Sequence, residues 1–378
     1  MFSLRDIYTH LLLTLTVLAM SSCGQSDDPV PTPSEANYSF GFYITVGEVS
    51  SKSDSRAPSD GEYDPGEGYE NFIDLGRDDI RVVLYNLDNT LISEVSQFVV
   101  LPVGSYESSK RYYLQGNTKS DLSSGKFKIA VIANWKTYPT DLSLTEVWSK
   151  TYQFDSPELS ETNTIPLFGI KECSLTGVKV DSEIKIGTIH LLRAFAKIEV
   201  ILKNGSSADE AGGNVLPEND YWHFRYLRLS HYNDSGFNAP TGVDSQDDYV
   251  KDSWKNDYVP YVSIPTTAQV RTNLDFVPTA KNHWVVYVPE YNNQGANPAS
   301  IDLDYVESSQ GPKSIRIIDP DDASKFADFK RNVWYRVTIY KNKEKDEFVA
   351  DVIPYKVIDL DPIFGLDTKD NTGSETTK

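Results

Sequence analysis

Cysteine, methionine and histidine are scarce, at 2, 2 and 5 residues in a chain of 378. Cys23 and Cys173 are the only thiols, so no disulfide framework holds the chain together and stability must come from packing. Basic excess is also missing. The 36 Lys and Arg face 55 Asp and Glu, a formal net charge of -19, and no basic cluster is interleaved with aromatics. That charge repels phosphate backbones and argues against nucleic-acid binding. Beyond the N-terminus no apolar run approaches the ~20 residues of a membrane helix, which excludes a polytopic membrane protein. The usual local signatures of catalysis are missing too: HExxH, GxSxG, a P-loop and GxGxxG do not occur. His190, His223, His231 and His283 lack zinc-ligand spacing, so no metal, cofactor or catalytic residue is assigned. What the chain does have is 23 Tyr, 16 Phe, 20 Pro and 22 Gly, the material of many strands joined by turns. The expected class is all-β, and the length suits two domains of ordinary size.

The first 22 residues read as an address. Arg5 precedes the apolar stretch LLLTLTVLAM, and Ser21 and Ser22 stand directly before Cys23. Small residues before a cysteine resemble a bacterial lipobox, which makes Cys23 the lipidated first residue after cleavage and anchors the chain to the outer membrane. A plain secretory cut is the alternative. Residues 23–36, with GQSDDPVPTP, form a polar, proline-rich tether. Their Ser26-Asp27-Asp28 resembles the export signal that sends Bacteroidetes lipoproteins to the cell surface.

Strand signals then follow. In YSFGFYITV the residues Tyr38, Phe40, Phe42, Ile44 and Val46 alternate on one face. A polar Ser/Gly/Asp/Pro stretch separates this strand from the next candidates at 80–85, 96–101, 126–135, 164–170 and 178–186. Residues 141–154 read as a short helix, and Cys173 as a half-buried strand residue. A second series covers 188–203, 222–232, 283–291, 313–319, 333–341 and 347–360. The layout predicts two packed sandwiches, 37–187 and 188–378. At the far end Ile358, Leu360, Pro362, Phe364 and Leu366 again alternate. Pro362 lacks a ladder donor, so 356–366 reads as an edge or added strand. Both terminal strands also fit a plainer reading, as ordinary edge strands of their own sandwiches.

Other chemistry-bearing residues carry less. Asp247-Asp248, Asp302-Asp304 and Asp319-Asp321-Asp322 offer hard oxygens for calcium without EF-hand spacing. Trp135, Trp222 and Trp334 are either core or a sugar-binding platform.

Five phrases, EGYENFIDLGRDDIRVVLYNLDNTLI (67–92), KFKIAVIANW (126–135), IPLFGI (165–170), LLRAFAKIEVIL (191–202) and RNVWYRVTIYK (331–341), resemble the Bacteroidetes fimbrillin superfamily, the FimA/Mfa-like pilin lipoproteins, in order and across both halves. The resemblance implies two transthyretin-like sandwiches, no enzyme activity, lipoprotein export, and an Arg-specific protease that removes the N-terminus with its first strand. Arg56, followed by Ala57, stands where that cut would fall; Arg77 and Arg81 lie too close to the first body strand. Removal of that strand would open an apolar groove with unpaired edges, which the strand bearing Ile358, Leu360, Phe364 and Leu366 of a neighbouring fimbrial subunit fills. Two other roles remain open: a membrane-retained anchor that keeps its first strand, and a surface glycan-binding lipoprotein.

Overall fold

The computed structural model describes residues 38–46, 69–75, 79–103, 111–122, 124–135, 139–175, 183–204, 224–246, 262–280, 282–306, 311–319, 322–341 and 346–354. Almost every element is a strand. The N-terminal half builds an eight-stranded sheet in the order β3-β2-β6-β8-β9-β1-β5-β4. Its strands are β1 (Tyr38–Val46), β2 (Ile80–Tyr85), β3 (Leu91–Glu94), β4 (Gln97–Pro102), β5 (Arg111–Thr118), β6 (Lys126–Ala133), β8 (Leu167–Ser174) and β9 (Glu183–Arg193). Between β8 and β9 only Leu167↔Arg193 and Phe168↔Leu192 are paired. The sheet therefore folds at that corner into two layers, and Phe40, Phe42, Ile44, Val82, Leu84, Leu114, Ile129, Val131 and Ile189 fill the space between them.

The C-terminal half repeats the plan. A five-stranded sheet, β14-β15-β10-β18-β19, faces a four-stranded one, β13-β11-β16-β17. These are β10 (Ala196–Asn204), β11 (Phe224–Asn233), β13 (Val270–Asp275), β14 (Val277–Ala280), β15 (His283–Val288), β16 (Ile301–Tyr305), β17 (Lys313–Ile315), β18 (Val333–Lys341) and β19 (Asp346–Pro354). Alternate residues Ala196, Ile198, Val200 and Leu202 meet Leu229, Ile301, Leu303 and Val337 in the core, the period of two that a half-buried strand requires.

Several elements differ from the sequence reading. The run 188–203 is two strands rather than one: β9 completes the first sheet, the chain turns at Ala194-Phe195, and β10 opens the second. Ala194 and Phe195 pack with Ile165, Tyr152 and Phe154 in a small cluster of their own, which is why an unbroken apolar sequence still bends there. The helix over 141–154 shrinks to α1 (Leu144–Trp148), started by a capping box between Ser143 and Glu146. The residues after it become β7 (Thr151–Gln153), which pairs with β12 (Ser235–Phe237) from the other half. Asp302 and Asp304, read as hard-oxygen donors, lie on β16 and already have partners. Asp302 accepts from the Ser300 and Ser314 hydroxyls, and Asp304 pairs with Arg225 at 2.7 Å. Among the described residues no group of three His, Cys, Asp or Glu could hold a metal ion.

A buried polar joint ties the halves together. Glu70, in the 3₁₀ turn Tyr69–Asn71, pairs with Lys197 of β10 at 2.8 Å and accepts from the Tyr287 hydroxyl of β15 at 2.7 Å. Arg193 donates to the Glu70 carbonyl at 3.0 Å, to Asn332 Oδ1 at 3.0 Å and to Asn71 Oδ1. The side chains of Glu70 and Lys197 are 0% and 1% exposed, and burial pushes the Lys197 ammonium below its ordinary value while Glu70 opposes that shift. Part of the resemblance phrase 67–92 is thus a structural tie, with Glu70 reaching across to the other half.

Candidate subunit-joining site

The strand that the sequence singled out first is a central strand, which corrects its reading as an ordinary edge. β1 runs antiparallel to β5, from Tyr38↔Thr118 to Thr45↔Arg111, and parallel to β9, from Ser39↔Glu183 to Val46↔Leu191. Gly187, at φ 82°, lets β9 bulge opposite Gly41 and Phe42, where the register shifts by one residue. Phe40, Phe42, Ile44 and Val46 are each no more than 1% exposed, and Tyr38 is half-buried. Each fully buried anchor contributes about 1.5–3 kcal/mol. Taking β1 away would cut the sheet between β9 and β5 and leave two facing rows of unpaired backbone groups over an apolar floor.

The outward face of β1 carries a second device that the sequence reading missed. Tyr113 of β5 donates its hydroxyl to Glu183 of β9 at 2.8 Å. This bond crosses β1 directly over Gly41, where an added Cβ would collide with both the Tyr113 oxygen and the Glu183 carboxylate. Burial, with Glu183 adding to it, pushes the Tyr113 hydroxyl up to about 12. Beside it the Tyr43 and Tyr113 rings lie 5.1 Å apart, and the Arg111 guanidinium sits 4.1 Å over the Tyr43 ring. The available signal was Gly41 itself, a glycine amid an apolar strand, which marks close approach by a neighbour.

The remaining predicted site residues divide simply. Tyr38, Phe40, Phe42, Ile44 and Val46 come together on β1. Cys23, Arg56, Ala57, Ile358, Leu360, Phe364 and Leu366 lie outside the described residues. Among the described residues the last strand, β19, pairs only with β18 and stands at the edge of its sheet. As for a sugar platform, Trp135, Trp284 and Trp334 are buried and Trp148 half-buried, its indole N–H bonded to the Val243 carbonyl. Cys173 is buried, and burial pushes its thiol up to about 12, so it is a packing residue and not a reactive one. No described helix is long and apolar enough to cross a membrane.

No family model matches the chain. No curated protein matches it by sequence either. Solved structures do. The tip fimbrial protein Mfa3 of Porphyromonas gingivalis, with its C-terminus truncated, aligns at a TM-score of 0.50 and 13% identity over 83% of this chain and 100% of that one. A fimbrial assembly protein of Parabacteroides distasonis aligns at 0.47 and 12%, over 83% and 95%. The fimbrial anchor protein Mfa2 of Porphyromonas gingivalis aligns at 0.34 and 8%, over 84% and 100%. These three neighbours are named as fimbrial proteins, not enzymes, and a further one, from Bacteroides thetaiotaomicron, is named among "putative polysaccharide binding proteins".

Proposed function

We propose that the chain is a structural fimbrial subunit at the cell surface, exported as a lipoprotein through Cys23 and polymerised by strand exchange after an Arg-specific cut between Arg56 and Ala57, in support of adhesion or colonisation. Its partners are other fimbrial subunits, the processing protease and, through the lipid, the outer membrane. The observation that carries this reading is the place of β1. The first described strand fills the middle of a sheet, with Phe40, Phe42, Ile44 and Val46 buried on its inward face. Such a strand is removable by one cut on its C-terminal side and leaves a slot shaped for another strand. An open series of head-to-tail contacts of this kind makes a filament. The fold shared with the tip protein Mfa3 agrees with the assignment.

A membrane-retained anchor is the second reading, and the Tyr113–Glu183 bond across Gly41 favours it to the extent that it keeps β1 seated. A glycan-binding role loses its main support, since three of the described tryptophans are buried. The deciding experiment exposes purified residues 24–378 to an Arg-specific protease and follows both the new N-terminus and the particle size. A single cut that leaves Ala57 first, followed by filament growth, is expected, and Arg56→Ala blocks growth without unfolding the body. Resistance at Arg56 with a persistent monomer would move the assignment to the anchor, and wild-type filaments from the Arg56→Ala chain would refute strand exchange at this site.

A further inference from the structure

We propose that two copies of the chain join side by side through β4, paired antiparallel about a two-fold axis at Val99. The contact is separate from strand exchange, because β4 stays in its own sheet and no cut is needed. Charge, exposed surface and a cleft beside the strand together point to it.

Among the described residues β4 pairs only with β5 and ends the eight-stranded sheet. Charged residues or proline usually blunt such an edge and stop a further strand from adding. The other edges of the three larger sheets follow that rule: β3 carries Glu94, β13 Arg271 and Asp275, β14 Pro278, β17 Lys313, and β19 Asp346, Glu347 and Asp351. β4 reads QFVVLP, with no charge, and its proline comes last. In a chain of net charge -19, like copies repel one another, and an uncharged edge is where that repulsion costs least.

On the outward face Val99, Leu101 and Val103 are 57%, 51% and 38% exposed. Leu101 stands opposite Tyr113, itself opposite Tyr43, so the apolar surface runs on across β5 and β1. On the inward side a cleft of about 750 Å³ lies beside the strand. Ile80, Val95, Phe98 and Val100 form apolar parts of its wall, next to the Arg81–Glu94 ion pair at 2.7 Å. A strand added to β4 would turn every second side chain toward this cleft.

The backbone fixes the register. Val103 N–H donates to the Arg111 carbonyl at 2.9 Å, so Val103, Leu101 and Val99 turn their backbone groups to β5, and Phe98 and Val100 turn theirs to the edge. With the two-fold at Val99, Phe98 of one copy faces Val100 of the other, and each such pair exchanges both backbone bonds. Val99 meets Val99 across the axis as a non-hydrogen-bonded pair, with about 4.5 Å between Cα atoms. Phe98 and Val100 of each copy then cover the cleft of the other, and Pro102, lacking an N–H, ends the ladder. A second copy fits as the occupant because Phe98, Val99 and Val100 are apolar on both faces and match their own reverse. Such a contact closes on itself, so under the proposed function it would join filaments laterally and not lengthen them.

The test uses residues 24–378 with Arg56→Ala, in which head-to-tail growth is blocked, so that failure of this contact and failure of strand exchange are read separately. Sedimentation is expected to show two chains per particle. Val99→Lys, on a side chain more exposed than buried, should keep the fold by circular dichroism. It should weaken the dimer about a hundredfold or more, because two ammonium groups then face each other. Val99→Cys should form a disulfide between copies on mild oxidation, whereas Leu101→Cys, opposite Gln97 of the other copy, should not. A one-chain mass at every concentration up to about 0.1 mM would overturn the proposal, as would a dimer of undiminished strength in Val99→Lys. A disulfide from Leu101→Cys in place of Val99→Cys would overturn the register.

Discussion

β1 and β10 hold the same position in their two halves and are secured differently. Each opens its half, and each lies between one parallel and one antiparallel neighbour: β9 and β5 for β1, β18 and β15 for β10. Both bury alternate apolar side chains completely. β10, however, enters from β9 through Ala194 and Phe195, both buried, and is pinned at Lys197 by the joint to Glu70. β1 is preceded by a polar, proline-rich sequence and followed by residues 47–68, which include Arg56. The same topological slot thus holds a strand pinned by the joint in one half and, under the proposed function, a strand that one cut releases in the other. The lesson is that burial alone does not make a strand permanent; what the chain does at its two ends decides.

The largest effect expected from breaking this contrast is at the joint. Glu70→Ala takes the carboxylate from a fully buried ammonium and should cost about 3–5 kcal/mol. Calorimetry should then resolve two transitions in place of one, because the C-terminal half loses this buried tie to the first and keeps others, among them the Arg193–Asn332 bond and the β7–β12 pairing; a single transition with an unchanged midpoint would show that the Glu70 carboxylate does not couple the halves. Next is Phe42→Ala, which should cost about 3–5 kcal/mol through the cavity it leaves, against about 2–5 kcal/mol for Ile198→Ala at the matching centre of β10. Hydrogen exchange should separate the two variants: amides of β1 lose protection alone in the first, whereas in the second β10 opens only with the whole molecule. Equal local opening of both strands would remove the distinction.

The smallest effect concerns the bond over Gly41. A hydroxyl raised from 10.0 to about 12 in the folded chain stabilises it fully below the unfolded value, and that contribution is lost as pH rises toward 12. Tyr113→Phe should therefore flatten part of the fall in urea midpoint between pH 10 and 12, and cost about 0.5–1.5 kcal/mol at neutral pH for the lost hydrogen bond. Identical pH profiles for the two proteins would remove the bond from the account of how β1 is held.

Much of this architecture was legible in the residues. β1, β2 and β18 begin and end where alternation or an apolar run begins and ends in YSFGFYITV, IRVVLY and VWYRVTIYK. The run 188–203 misled because an apolar sequence says that residues are buried, not in which core, and Leu192 and Ala196 belong to different ones. β5 was overlooked: RYYLQGNT has polar residues at 115, 117 and 118, and its strand character comes from lying between β1 and β4. β16 hid behind its aspartates, although Ile301, Leu303 and Tyr305 carry the alternation. At the site, the apolar row of β1 was plain in sequence, while its central place was not, since the pairing partners β5 and β9 come from 65 or more residues downstream in the register Thr45↔Arg111 and Ser39↔Glu183.

The joint at Glu70 bears on mechanics as well as on folding. In a filament of the proposed kind, tension would be passed from one half of each subunit to the other through Lys197, Tyr287, Arg193 and Asn332, all anchored on or beside strands. A hydrogen-bonded ion pair shut away from water does not swap partners with solvent as a surface pair does. Each subunit should therefore carry load as one stiff link, with any give confined to the segments between subunits.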